Sequence, residues 1–125
     1  MPRRVLIVDD SALMRRLVGD ALRGDGWEIA GEAANGTEAL QRYQQLRPDA
    51  VTLDISMPDC DGLQAVHAIL DIDPKAKIVV VSALNQSRLT AKLLRAGARG
   101  IVVKPFLPER LQETLRSSLE EPIKV

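Results

Sequence analysis

The segment Val5-Leu6-Ile7-Val8-Asp9-Asp10 sets four apolar residues, three of them β-branched, directly before two carboxylates. An unbroken run of this kind suits a strand of a parallel sheet covered on both faces, where alternation is not required. Comparable short runs follow at Glu28-Ile29-Ala30, Ala50-Val51-Thr52-Leu53, Ile78-Val79-Val80-Val81 and Ile101-Val102-Val103. Their spacing leaves room for one helix and two loops between neighbours.

The intervening segments change to a helical period. Leu13, Met14, Leu17, Val18, Ala21 and Leu22 form one apolar stripe, with Ser11 as N-cap and Gly24 as stop. Thr37 opens a second helix carrying Ala39, Leu40, Tyr43 and Leu46, closed by Pro48. Leu63, Val66, Ile69 and Leu70 mark a third, ended before Pro74; Leu89, Leu93 and Leu94 mark a fourth, ended by Gly97. Leu111, Leu115 and Leu119 mark a fifth, with Pro108 in its first turn. The pattern predicts a (βα)5 α/β domain, a parallel sheet with right-handed crossovers and helices on both faces.

At 125 residues the chain fits one domain, and 46% hydrophobic with 27% charged residues excludes a disordered chain. Seventeen basic residues balance seventeen acidic ones, which argues against a dedicated nucleic-acid binder, and three aromatic residues leave no stacking platform for single strands. The single cysteine, Cys60, has no partner for an internal disulfide, which fits a reducing compartment. No run approaches the ~18 apolar residues of a membrane span. A cytoplasmic, monomeric protein with no membrane contact is expected.

The polar residues that follow the strands are the informative ones. Asp9 and Asp10 follow the first strand, Asp54 the third, Ser82 the fourth and Lys104 the fifth. In a parallel sheet all of these converge on one edge, the edge where open α/β sheets bind ligands. Singly, each has a plain reading as a cap, loop or solvated residue. Together, three carboxylates repel one another unless a cation compensates, and their oxygen ligands suit Mg²⁺. Phosphoryl transfer needs positioning and charge neutralisation of this kind. Asp54, alone at its strand end and able to face Lys104 and Ser82, is the natural phosphoryl acceptor, giving an acyl phosphate.

Val5-Leu6-Ile7-Val8-Asp9-Asp10, Leu53-Asp54-Ile55-Ser56-Met57-Pro58, Asp61-Gly62, Val81-Ser82-Ala83 and Val103-Lys104-Pro105-Phe106 resemble, in order, the motifs of the two-component response-regulator receiver domain. The resemblance covers about Arg4 to Leu119. Ala33-Ala34-Asn35-Gly36, Ile72-Asp73-Pro74 and Ser82-Ala83-Leu84 make it most similar to stand-alone chemotaxis regulators of the CheY type. It implies a doubly wound, flavodoxin-like sheet of order 2-1-3-4-5, with a receiver over 1–120 and a tail or linker start over 121–125. It implies that Asp54 takes a phosphoryl group from a sensor histidine kinase. It also implies Mg²⁺ on Asp10, Asp54 and the Ser56 carbonyl, assisted by Asp9 through water. Ser82 and Lys104 would hold the phosphoryl group, Lys104-Pro105 would be cis, and Gly62 would permit the tight turn into the third helix.

The chain departs from the family at Ile101, where receivers carry Tyr or Phe as a ring that turns inward on activation. Ile is stiff at its first torsion and has neither ring nor hydroxyl. Leu84, two residues after Ser82, offers no group to orient an attacking water, and with Ser56 it points to slow hydrolysis of the phosphoryl group. From Pro74 to Pro108 seven basic residues occur with no acidic one, and Arg88, Lys92 and Arg95 share one face of the fourth helix. That face is either solvated or a surface for an acidic output partner, and receivers use the fourth helix, fifth strand and fifth helix for output.

Other signals fail on inspection. Gly26 and Gly31 have the spacing of a phosphate-binding loop, but Glu32-Ala33 stands where Lys-Ser/Thr is required. Asp59-Cys60-Asp61-Gly62 does not register as a calcium loop, His67 reads as a partly exposed structural residue, and Trp27 and Tyr43 read as packing for the second strand and helix. Three other functions remain open: a receiver cut from a regulator with a DNA-binding or enzymatic output, a phosphorylation-independent interaction module, and an aspartate-nucleophile phosphatase. The last needs a second acid two residues after Asp54, where Ser56 stands.

Overall fold

The computed structural model describes residues 3–56 and 62–120; Cys60, the Asp59–Asp61 part of the loop before the third helix, and the 121–125 tail lie outside the described residues. Five strands and five helices alternate: β1 (Arg4–Val8), α1 (Ala12–Arg23), β2 (Glu28–Ala33), α2 (Gly36–Leu46), β3 (Ala50–Asp54), α3 (Gly62–Ile72), β4 (Ile78–Ser82), α4 (Ser87–Ala96), β5 (Gly100–Val103) and α5 (Pro108–Ser118). The strands are parallel, in the order β2-β1-β3-β4-β5.

The continuous apolar runs supply both faces of this sheet. Along β1, Leu6 and Val8 enter the core shared with α2, α3 and α4, while Val5 and Ile7 enter the core shared with α1 and α5. All of β3 and β4 is buried, whereas the edge strands β2 and β5 are only partly so. Each fully buried aliphatic side chain in these two cores contributes about 2 kcal/mol. Among the described residues, no helix is long and apolar enough to cross a membrane.

The apolar stripe expected on α1 is narrower than its sequence period. Val18 and Leu22 are buried, but Leu13 and Leu17 are exposed. Gly19 takes their place against the sheet: a side chain there would meet Arg23 and the Ile7 methyl at 3.3 and 3.6 Å. A residue without a side chain carries no apolar signal, so the sequence period shifted the stripe outward.

Two further expectations change. β2 runs three residues beyond Ala30, through Gly31 and Glu32 to Ala33, and its register with β1 shifts between Val5 and Leu6, which skips Ala30. Gly24 does cap α1 but stays right-handed, and Gly26 takes the left-handed turn at φ 84°. Gly62 also serves close approach, because a Cβ there would lie 2.5 Å from the Ile55 side chain; the turn that leads into it lies outside the described residues. His67 is exposed on α3, as expected.

Two helix starts follow the sequence: the Ser11 hydroxyl accepts from the Met14 N–H at 3.2 Å, and Pro108 sits in the first turn of α5. The second helix opens one residue before Thr37, at Gly36, with Asn35 as its cap through the Glu38 N–H at 2.9 Å. Tyr43 and Trp27 are both buried, on opposite sides of the sheet. The Tyr43 hydroxyl donates to Asp73 at 2.6 Å, fastening α2 to the end of α3. The Arg3 guanidinium covers the Trp27 ring at 4.8 Å.

Candidate functional site

Every strand of a parallel sheet delivers the residue after it to the same edge. β1 ends at Val8 and presents Asp9 and Asp10; β3 and β4 end on Asp54 and Ser82; β5 ends at Val103 and presents Lys104. Asp9, Asp54 and Ser82 are 3%, 3% and 1% exposed, while Asp10 stands on the rim. One carboxylate oxygen from each of Asp9, Asp10 and Asp54 lies within 4.8 Å of the other two.

Asp54 is held at both oxygens. Oδ1 accepts from the Ser56 N–H at 2.8 Å and from the Ser56 hydroxyl, and Oδ2 accepts from Lys104 Nζ at 3.0 Å. The Lys104 backbone N–H donates to the Ser82 carbonyl at 2.7 Å, and the Lys104-Pro105 bond is cis as expected. The Asp9 carboxylate accepts from the Ser11 N–H at 2.9 Å. Its backbone N–H donates to the Ala33 carbonyl at 3.0 Å.

The two buried acids are driven apart in acidity. Burial raises the Asp9 carboxyl to about 6; the Ser11 N–H opposes this and the neighbouring Asp54 carboxylate adds to it. Burial would raise Asp54 as well, but the Ser56 hydroxyl and N–H, then Lys104 and Asp9, outweigh it and hold Asp54 below the usual carboxylate range. Asp54 is therefore held as an ionised carboxylate. Ser82 Oγ, buried beside it on the neighbouring strand, has no hydrogen-bond partner among the described residues. A buried hydroxyl without a partner is costly and marks a place where a polar group is to be bound.

Residues 5–116 match the response regulator receiver domain family. The CheY of Thermotoga maritima is 49% identical, covering 92% of this chain and 96% of that protein. This chain belongs to the response regulator receiver family.

Among its other relatives, the CheY of Bacillus subtilis is 41% identical over 95% of this receiver and 99% of that protein. The CheY in the CheX–CheY–BeF3–Mg²⁺ complex of Borrelia burgdorferi superposes with a TM-score of 0.90 at 32% identity, covering 97% of this receiver and 92% of that chain. The fold and the strand order are therefore those of a CheY-like receiver.

The receiver's expected switch and output residues lie away from the pocket. Ile101 is half-buried and packs against the core on the α4 side. Arg88, Lys92 and Arg95 are all exposed along α4. Leu84, 80% exposed, covers nothing, and the Gln86 side chain accepts from the Ala83 N–H at 2.7 Å where the chain enters α4. Arg15, absent from the sequence reading, touches the acidic corner and joins it to Glu32, which that reading weighed only against a phosphate-binding loop. The Arg15 side chain donates to the Asp9 carbonyl at 2.7 Å and to Glu32 at 2.8 Å. Their contact depends on the register of β2 against β1, which no spacing along the chain reveals.

Proposed function

We propose that this receiver is a phosphorylation-dependent signalling switch in chemotaxis or a related pathway, with Asp54 as acceptor and a sensor histidine kinase as donor. The observation that carries it is the pocket itself: an ionised Asp54, paired with Lys104, beside two further acids and the unpartnered hydroxyl of Ser82. An Asp54 carboxylate oxygen attacks the phosphorus of a phosphohistidine, the P–N bond breaks, and the imidazole nitrogen leaves with the bond electrons. The product is an acyl phosphate on β3.

The donor set fits Mg²⁺: hard carboxylate oxygens, gathered within 4.8 Å and mutually repulsive. Asp10, Asp54 and the Ser56 carbonyl would hold it, with Asp9 acting through water, and the Borrelia burgdorferi CheY was itself solved with BeF3 and Mg²⁺. Bound there, Mg²⁺ supplies positive charge to the transferring phosphoryl oxygens. Lys104 is placed to exchange its Asp54 partner for a phosphoryl oxygen, and Ser82 Oγ gains the partner it lacks. The same chemistry run with water reverses the modification, slowly, because Leu84 and Ser56 provide no base to activate water. Output would pass through Ile101 to the basic α4, β5 and α5 face, which suits an acidic protein partner and not a nucleic acid.

The test is treatment with a small-molecule phosphodonor plus Mg²⁺, read by intact mass. The native chain should gain one phosphoryl group and Asp54→Ala none. Labelling of Asp54→Ala to the same extent, or no Mg²⁺ dependence, would refute the assignment.

A further inference from the structure

We infer that Arg15 is a positioning residue for the metal corner, acting through Glu32 on β2 to set the backbone from which Asp9 and Asp10 project. The inference rests on the Mg²⁺ reading of that corner and names a part of it that touches neither metal nor phosphoryl group.

The argument begins with the end of the β1–β2 ladder. The Asp9 N–H completes the ladder by donating to the Ala33 carbonyl at 3.0 Å, but β2 ends at Ala33 and Asn35 already caps α2. The next N–H of the chain, that of Ala34, goes to the Glu38 carboxylate at 3.3 Å. Among the described residues, no backbone N–H of β2 or of the turn into α2 donates to the Asp9 carbonyl. Arg15, one turn into α1, supplies the donor: Nη1 donates to the Asp9 carbonyl at 2.7 Å. The same guanidinium donates from Nε to Glu32 at 2.8 Å, and Glu32 lies in register with Ile7 on β1.

The Asp9 peptide is thus fixed at three points, by Ala33, by the Ser11 N–H on its carboxylate and by Arg15 on its carbonyl. Asp10 follows on the exposed rim, where packing does not constrain it. The orientation of the intervening peptide decides where its carboxylate points. A planar guanidinium with donors in a fixed fork can serve two acceptors on two strands at once, which an ammonium cannot do equally well. Arg15 is only 19% exposed at its side chain, so this geometry is held by packing, whereas Glu32 is 50% exposed.

Positioning and simple electrostatics predict opposite signs. Removing a cation near a Mg²⁺ site should tighten Mg²⁺ binding by charge alone. Loss of a group that orients metal ligands typically weakens binding by about tenfold or more. The experiment measures Mg²⁺ dissociation constants by calorimetry on the full chain, with Mg²⁺ as the probe, alongside thermal midpoints in EDTA. Arg15→Met should bind Mg²⁺ about tenfold more weakly, and Arg15→Lys, which keeps the charge and one donor, should recover part of the loss. Glu32→Gln, at the exposed end of the clamp, should weaken binding with little change in the EDTA midpoint.

Unchanged or tighter Mg²⁺ binding by Arg15→Met overturns the inference. If that variant does not fold, Arg15→Lys decides, because it keeps the charge: weaker binding supports the clamp, and native affinity overturns it. A native chain that does not bind Mg²⁺ overturns the metal reading and the clamp together, whereas native binding with indifferent variants overturns the clamp alone.

Discussion

The Lys104 ammonium stands 3.0 Å from the Asp54 carboxylate, joining the end of β5 to the end of β3 across β4. The two partners are unequally buried, the Asp54 side chain at 5% exposure and that of Lys104 at 26%. Removing the lysine leaves a buried carboxylate with only the Ser56 donors. Lys104→Ala should therefore cost about 2 kcal/mol in urea unfolding at pH 7 in EDTA, below the loss for a fully buried pair because water reaches the ammonium. A variant as stable as the native chain would show that the ion pair adds nothing to the unmodified state.

Asp9 gives the opposite sign. Its carboxyl, raised from 3.8 to about 6 chiefly by burial, holds its proton more tightly folded than unfolded. Its stabilising contribution is complete below about 3.8 and is lost as pH rises through about 6. In EDTA at pH 7, Asp9→Asn should thus be more stable than the native chain by about 2 kcal/mol, with the advantage disappearing toward pH 4. Saturating Mg²⁺ should narrow the gap, since a bound cation favours the ionised form. Chemical unfolding of both proteins across this pH range measures it.

Ser82 should behave unlike most buried polar residues. It is 1% exposed and its hydroxyl has no partner among the described residues, so no bond between them is broken when it is removed. Ser82→Ala should leave the unmodified protein as stable or about 1 kcal/mol more stable. In the presence of phosphodonor and Mg²⁺ the same variant should label more slowly, read as the rate of mass gain. A loss of stability without phosphodonor would mean that the hydroxyl already has a role in the unmodified fold.

The basic face of α4 should separate binding from chemistry. Arg88 and Lys92 are exposed and lie on a different element from the pocket. Reversing both to Glu should slow association with an acidic output partner about tenfold at low salt, an effect that added salt erases. The rate of phosphodonor labelling should not change. Normal association kinetics would assign the stripe to solvent.

Much of this was legible in the chain because a parallel sheet converts order along the sequence into place in space. Once five apolar runs separate five helical segments, Asp9, Asp54, Ser82 and Lys104 share an edge without any knowledge of side-chain packing. What stayed hidden depends on register and on small residues. Gly31 and Glu32 disguise the second half of β2, Gly19 displaces the apolar stripe of α1, and the close approach of Gly62 to Ile55 is visible only in space. The Arg15–Glu32 and Tyr43–Asp73 contacts join residues that no periodicity relates. Electrostatic polarisation of Asp9 against Asp54 also required coordinates, since both are strand-end aspartates and differ only in which donors reach them.

Trp27, the chain's only indole, precedes β2 at the end of the sheet remote from the acids, under the Arg3 guanidinium. One strand length, roughly 20 Å, separates it from the carboxyl edge. Intrinsic fluorescence will therefore follow the unfolding of the α1–α5 side and stay silent when ions or phosphodonors are titrated in. Optical assays of occupancy need an introduced fluorophore nearer the carboxylates.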